Sequence, residues 1–507
     1  MHPQQVPFHR VVTTFLVLLA CVGNALAQTD DQHDSSPIRL LASNPHYFEF
    51  RGRPTALITS AEHYGAVLNQ DFDIETYLDA LAKNRLNYTR IFTGSYVEIP
   101  GSFGIENNTL APATGRFLAP WQRVDSAGLY QGERQFDLSK WNPRYFERLH
   151  GFVAAAGKRG IVVEVTLFCS TYQDGYWERN PFHPSNNVNN IDVNLDRKSS
   201  NTLNNGGLLP FQKALARKLA NELNGYDNII YEIQNEPWAD QGVKAMRVLR
   251  TLTPKPGKSD WFKWAETASP DSLDWQNVIA KEIRIVEKDL PNQHLIAQNY
   301  TNFYHSLQEI QPEISILNFH YAWPAAATLN WGWKRPIGFD ESGFAGNEDD
   351  EYLVQAWQFM LSGGALFNHL DYSFFVGHER GDGVNNAPGG GSEKFRRQLS
   401  YLVAFFSELD LTKIEPDASV VVHAPGYESQ SVSDGQSQFA TVLHGVPGDF
   451  VDLRLPEGHY ACRILSPRSG KTLTTTILLS VSDQLTRVDL PSKSDFVALL
   501  IQRLKKS

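Results

Sequence analysis

The sequence predicts an α/β protein, a (β/α)8 TIM barrel followed by a C-terminal all-β sandwich. Two observations predict it. Between residues 55 and 372, eight short β-type runs alternate with segments whose apolar residues recur every three or four positions. Beyond residue 411 the helical spacing disappears, and only short alternating runs separated by turns remain.

Taken in order, the chain opens on an almost acid-free start, an apolar run from Val11 to Gly23 and a small-residue exit, Ala25-Leu26-Ala27. That is the pattern of a secretory signal peptide over residues 1–27, and the run is short for a membrane-spanning helix. The sequence thus predicts a periplasmic or extracellular protein, with lipid anchoring at Cys21 as the lesser alternative. Residues 28–38 are polar and read as a flexible segment. No later stretch is apolar for long enough to cross a bilayer, so no membrane partner is expected after cleavage.

Residues 39–410 read as the barrel. Its runs are Thr55 to Ser60, Tyr88 to Thr93, Ile161 to Cys169, Ile229 to Glu236, His294 to Asn299, Ile314 to Tyr321, Pro336 to Glu341 and Ala365 to Tyr372. Helical spacing is clearest over Ile74 to Leu86, Tyr145 to Lys158, Leu209 to Leu223, Trp275 to Asp289 and Tyr352 to Ser362. Such alternation implies parallel strands joined by helical crossovers, and eight units close into a barrel. No Gly-rich loop follows the first strand to suggest a nucleotide fold. Residues 411–507 read as the sandwich, taken as a structural wing on the barrel rather than a sugar-binding module.

Composition narrows the partners. A formal charge of −10 argues against nucleic acid, whose phosphates need a basic surface. Cleavage would remove Cys21 and leave Cys169 and Cys462 in different domains, so no disulfide framework is expected. The histidines lack the close spacing of a zinc site, and neither metal nor other cofactor is expected. Oligomeric state cannot be read from the sequence.

In such barrels the functional rim lies at the C-terminal ends of the strands, so strand-terminal carboxylates are the candidates for chemistry. Two stand out. Glu236 ends the fourth run, in Tyr231-Glu-Ile-Gln-Asn-Glu-Pro-Trp238, and Glu341 ends the seventh, in Pro336-Ile-Gly-Phe-Asp-Glu-Ser-Gly343. Glycoside hydrolysis needs two facing carboxyls, one to protonate the leaving oxygen and one to attack the sugar or activate water.

Asn235-Glu236-Pro237 after the fourth strand, with a Glu after the seventh, resembles the clan A glycoside hydrolases, best known from the family-five cellulases and mannanases. The resemblance implies a retaining hydrolase acting on β-glycosidic bonds of an oligo- or polysaccharide. It implies that Glu236 is the acid/base, Glu341 the nucleophile and Asn235 a ligand of the sugar 2-hydroxyl. Arg90, in Leu86-Asn-Tyr-Thr-Arg-Ile-Phe92, is similar to the clan arginine that steadies the nucleophile, and His320-Tyr321 to its active-site pair. His63, Tyr64, Trp238 and Tyr372 are expected to line sugar subsites. One departure is plain: Asn368-His-Leu-Asp-Tyr-Ser-Phe374 lacks the strand-eight Trp that family five uses as a platform.

Rival carboxylates are placed by geometry. Glu232 lies four residues before Glu236, about 13 Å deeper at 3.3 Å per residue, and with Glu164 reads as an interior paired residue. Asp340 and Glu341 are adjacent on a strand, so only one is expected to face the axis. Arg90 is expected to hold the Glu341 pKa down. Long loops over 94–137, 170–207 and 376–393 favour a pocket and action at chain ends. The alternative from another class is a non-catalytic carbohydrate-binding barrel. A serine esterase is disfavoured because no Gly-x-Ser-x-Gly elbow occurs.

Overall fold

The structure, a computed structural model, describes residues 36–248, 261–492 and 494–505. The expected signal peptide, Cys21 and most of the segment 28–38 therefore lie outside the described residues. Among the described residues no helix is long and apolar enough to cross a membrane.

Eight parallel strands form the barrel: β1 (Leu57–Ala61), β2 (Tyr88–Phe92), β3 (Val162–Cys169), β4 (Ile229–Asn235), β5 (Leu295–Asn302), β6 (Ile316–His320), β7 (Ile337–Ser342) and β8 (Leu366–Leu370). Hydrogen-bonded neighbours run β1-β8-β7-β6-β5-β4-β3-β2. Every residue of these strands is buried, which is why they read as continuous apolar runs interrupted by interior polar residues. Between β1 and β2 the ladder is replaced by the Asn87 side chain, which accepts from the Ile58 N–H at 2.9 Å and donates to the Ala56 carbonyl at 2.8 Å. An amide side chain mimics a peptide group here and satisfies backbone groups that the strand gap would orphan.

The crossovers carry α1 (Ile74–Lys83), α2 (Pro143–Lys158), α3 (Leu209–Leu223), α4 (Pro270–Glu287), α5 (Pro324–Asn330), α6 (Asp349–Met360) and α7 (Glu393–Phe406). Their starts follow capping chemistry: Asp73, Asn142, Ser269 and Ser392 each accept from N–H groups of the first turn. Four of the seven carry Pro in the first turn, where its missing N–H costs nothing. An irregular connection, rather than a helix, joins β5 to β6. A hairpin of Phe48–Phe50 and Arg53–Thr55 covers the N-terminal end of the barrel, where Arg51 pairs with Asp227, two residues before β4.

After α7 the chain enters the sandwich, a six-stranded antiparallel sheet packed on a three-stranded one. The strand Phe496–Arg503 explains how it attaches. Val497, Leu499 and Ile501 enter the sandwich core, while Phe496, Ala498 and Leu500, on the other face, join the barrel core. Arg468 adds ion pairs to Asp350 of α6 and to Asp495. Barrel and sandwich fall in one compact unit, Ser35–Ser507, so the change near 411 is one of architecture rather than a gap between bodies.

The end of β8 is fixed by a buried ion pair. Asp371 accepts from Arg396 of α7 and from Ser60 of β1 at 2.8 Å, and Arg396 also stacks on Phe374. The Arg396–Phe374 separation is 4.4 Å to the ring centre, and both charged groups are fully buried. Removing the cation leaves Asp371 buried without its counter-charge, a change worth about 3–5 kcal/mol. Arg396→Met is accordingly expected to lower unfolding stability by that amount in denaturant titration, and an unchanged midpoint would contradict this account of the rim.

Candidate active site

Every expected site residue sits at the C-terminal rim, but at different depths. A pocket opens there, lined by His63, Tyr64, Asn235, Glu236, Tyr321, Glu341 and Tyr372 among others, with an empty volume of about 360 Å³ that includes space open to solvent. One carboxylate oxygen of Glu236 and one of Glu341 lie within 4.8 Å of each other, and the His320 Nδ1 or Nε2 completes the group at the same separation.

Six lining residues adopt left-handed backbone: Tyr64 (φ 60°), Phe103 (φ 54°), Tyr172 (φ 60°), Glu236 (φ 45°), Tyr321 (φ 50°) and Phe344 (φ 60°). That conformation costs a residue with a Cβ of order 1 kcal/mol or more and persists only where the surroundings over-determine it. At Glu236 they do. Its N–H donates to Asn299 Oδ1 at 3.1 Å, its carbonyl accepts from Ser170 at 2.7 Å, and its carboxylate accepts from Tyr172 at 2.9 Å and meets His320 Nδ1 at 3.0 Å.

Beneath the dyad lies a layer of buried charge. Arg90 donates through Nε to Glu232 at 2.7 Å and through Nη2 to Asn235 Oδ1 at 2.7 Å, and reaches Glu341 with Nη1 at 3.3 Å. Its guanidinium lies 4.7 Å from the Tyr64 ring centre. Glu232 is thus its principal partner and Glu341 the longer contact. Glu164 meets Asn318 at 3.0 Å, and Gly338 leaves the room that this Asn318 amide needs, since a Cβ there would lie 2.3 Å from its oxygen.

Asp340 and Glu341 do not point to opposite sides, contrary to the expectation. Asp340 lies 3.2 Å from His320 Nε2 and 3.7 Å from Arg90, and Glu341 accepts from Tyr321 at 2.8 Å while also facing Arg90. Register shifts in both ladders flanking β7, between Phe319 and His320 and between Phe339 and Ser342, break strict alternation and turn both carboxylates inward.

The charges set one another. Burial opposes ionisation of His320, yet Asp340 and Glu341 outweigh it and raise its pKa to about 10, so the ring is an imidazolium. His320 and Arg90 overcome burial at Asp340 and hold it below the ordinary carboxylate range. At Glu341 the balance falls the other way. Burial raises its pKa, His320 and Arg90 lower it and Glu236 raises it, with a net upward shift. Arg90 does lower the Glu341 pKa, as expected, but burial and the facing Glu236 carboxylate outweigh it. Burial, with Glu232 and Asp340 nearby, also pushes the Glu164 pKa well up, which favours its protonated form.

Two clusters, Glu232–His320–Asp340 and Glu236–His320–Glu341, bring three ligand-type atoms together among the described residues. Both depend on His320, and an imidazolium has no lone pair for a metal.

Three expected site residues, Arg90, Trp238 and His320, stand behind the pocket lining rather than in it. Trp238 does not line the pocket; it packs edge-on against the back of the His320 ring, with centroids 5.3 Å apart. The proline-led turn after Glu236 folds it outward into the short helix Trp238–Gln241. His320 is itself fully buried behind the dyad. Conversely, Glu98 was not legible as a site residue, because it lines the pocket from an irregular loop with no strand to fix its direction. It meets His63 Nε2 at 3.3 Å and accepts from Tyr96 and Asn108. Tyr172 was readable only as a rim aromatic; its hydroxyl joins Glu236 to Asn235, accepting from the latter at 2.8 Å.

No family model matches the sequence, and no curated protein does. Solved structures do match in shape. A Bacteroides vulgatus protein provisionally described as a glycoside hydrolase superposes with a TM-score of 0.63 at 12% identity, covering 94% of this chain and 83% of its own. A family 5 glycoside hydrolase from the same organism gives 0.58 at 12% identity, covering 92% and 94%. At that identity the likeness is one of fold alone, a (β/α)8 barrel followed by a β-sandwich.

Proposed function

We propose that the protein is a retaining glycoside hydrolase of the clan A type, cleaving β-glycosidic bonds of a carbohydrate by double displacement. The observation that carries this reading is the approach of Glu236 and Glu341 to within 4.8 Å at the rim. Retaining enzymes separate their carboxyls by about 5–5.5 Å, whereas inverting enzymes need about 6.5–9.5 Å to seat a water.

In the first step Glu341 attacks the anomeric carbon while Glu236 gives its proton to the departing oxygen, leaving a glycosyl ester on Glu341. Glu236, now a carboxylate, takes a proton from water as that water attacks the same carbon, and Glu341 leaves. His320 and Tyr172 fix the Glu236 carboxyl from two sides, and Tyr321 and Arg90 fix Glu341. Two cations behind the dyad counter the charge that Glu341 regains when the ester breaks. Asn235 sits between Arg90 and Tyr172 with its amide held for a sugar hydroxyl. A leader over residues 1–27 would send this activity outside the cytoplasm.

Mutation separates the two roles. Glu341→Ala is expected to abolish turnover of natural and activated substrates alike. Glu236→Ala is expected to lose about 10²–10⁴-fold on natural β-glycosides but far less on aryl glycosides whose leaving groups need no proton. Equal loss on both, in steady-state assays of Glu236→Ala, would contradict the assignment.

Linkage gives a second check. A histidine raised from 6.5 to about 10 binds its proton more tightly in the folded state. Its contribution to stability is complete below about pH 6.5 and disappears as pH rises through 10, with a slope of up to about 1.4 kcal/mol per pH unit. Between pH 7.5 and 9.5 the unfolding free energy should fall more steeply for the wild type than for His320→Asn. Parallel profiles would mean that the imidazole is not charged in the native state.

A further inference from the structure

The wall of the pocket opposite Glu236 is closed. Around the barrel the arc β8, β1, β2 faces β4, so a sugar attacked by Glu341 and protonated from the Glu236 side must point its far end toward that arc. There the loops after β2 and β8 join across the end of β1. Glu106 N–H donates to the Asn386 carbonyl at 2.9 Å, Asn107 N–H to Asn385 Oδ1 at 3.0 Å, and Asn385 Nδ2 back to the Asn107 carbonyl at 2.8 Å. The β2 loop is held from its other side by the buried Arg179, which donates to the Glu98 and Pro112 carbonyls at 3.0 and 2.9 Å.

Below the bridge stand two polar groups without a partner and, beside them, the Glu98 carboxylate, which already accepts from Tyr96 and Asn108. His63 is nine-tenths buried, and its Nδ1 has no hydrogen-bond partner among the described residues; the buried Tyr372 hydroxyl has none either. Their rings lie 5.7 Å apart, and Glu98, 2% exposed, completes the wall beside His63. Buried polar atoms are rarely left unpaired, and beside an open pocket the partner is a bound water or a ligand.

Resting on the hydrolase reading above, we infer that this wall is a recognition site for the far hydroxyls of a single non-reducing-end sugar, held by Glu98, His63 and Tyr372. The protein then removes one unit at a time from chain ends. Glu98 accepts from a pair of sugar hydroxyls, and the His63 and Tyr372 groups complete the set. The Asn107–Asn385 bridge excludes any sugar beyond.

The test uses the full chain with 4-nitrophenyl β-glycosides of common hexoses and pentoses, and with borohydride-reduced β-linked gluco-, manno- and galacto-oligosaccharides followed by mass spectrometry. The expected early products are a monosaccharide and a chain one unit shorter. Glu98→Gln should keep its fold by circular dichroism yet lose on the order of 10- to 100-fold in kcat/KM on the aryl monoglycoside, the loss expected for a hydrogen bond to a charged group. Asn385→Ala, at the exposed bridge, should add mid-chain products to the early pattern. Early di- and trisaccharides from the wild type, or undiminished kcat/KM in Glu98→Gln, would overturn the inference while leaving the hydrolase reading intact. No turnover of any substrate would overturn both.

Discussion

The structure depends on one arrangement of buried charge. Glu164, Glu232, Asp340, Glu341 and Glu236 crowd into the upper layers of one barrel, each nine-tenths or more shielded from water, and Arg90 and His320 are the cations among them. Like charges in so small a volume are tolerable only if some are neutralised by protonation and others by direct pairing. Both devices operate: burial and its neighbours favour the protonated form of Glu164, whereas Glu232 is paired with Arg90 and Asp340 with His320. Glu341 sits at the edge of this layer, touching both cations and open to the pocket above. An electrostatic field fixed before substrate arrives is what a developing charge at a glycosidic centre requires.

The barrel supplies that field through small departures from regular geometry. Ladder shifts beside β7 turn consecutive carboxylates the same way, and left-handed residues at the strand ends bend the chain so that Tyr64, Tyr172, Glu236, Tyr321 and Phe344 all face one space. Left-handed backbone at six positions lining one pocket is a pattern associated with functional sites. The sandwich attaches to the helical layer of the barrel, where Arg468 pairs with Asp350 of α6. Its strand Phe496–Arg503 buries both faces, which argues for a stabilising role over a separate binding one.

Much of the fold could be read from the sequence, because a parallel barrel strand is buried on both sides and so announces itself as a short apolar run. The runs proposed for β2, β3 and β4 differ from the observed strands by a residue at an end. The crossover helices were clear where an amphipathic stripe is long, as in α2, and invisible in α5, which is seven residues long and rich in alanine. In the sandwich, Tyr427–Ser433 and Phe450–Leu453 were missed because the first is mostly polar and the second too short to alternate. Strand-end residues of the candidate site were readable because strand position fixes depth. Glu98 and the loop bridge were not, since nothing in an irregular loop says which way a side chain points. The paired inward turn of Asp340 and Glu341 was lost for a related reason: alternation is a rule of regular strands, and a ladder shift leaves no mark in the sequence.

A covalent intermediate on Glu341 is the central claim, and trapping tests it most directly. Incubation with a panel of 2-deoxy-2-fluoro-β-glycosyl fluorides, followed by proteolysis and peptide mass spectrometry, should place one glycosyl adduct on the peptide carrying Glu341. Inactivation with the adduct on Glu236, on Asp340 or on no peptide, in a preparation that hydrolyses the parent glycoside, would contradict the account.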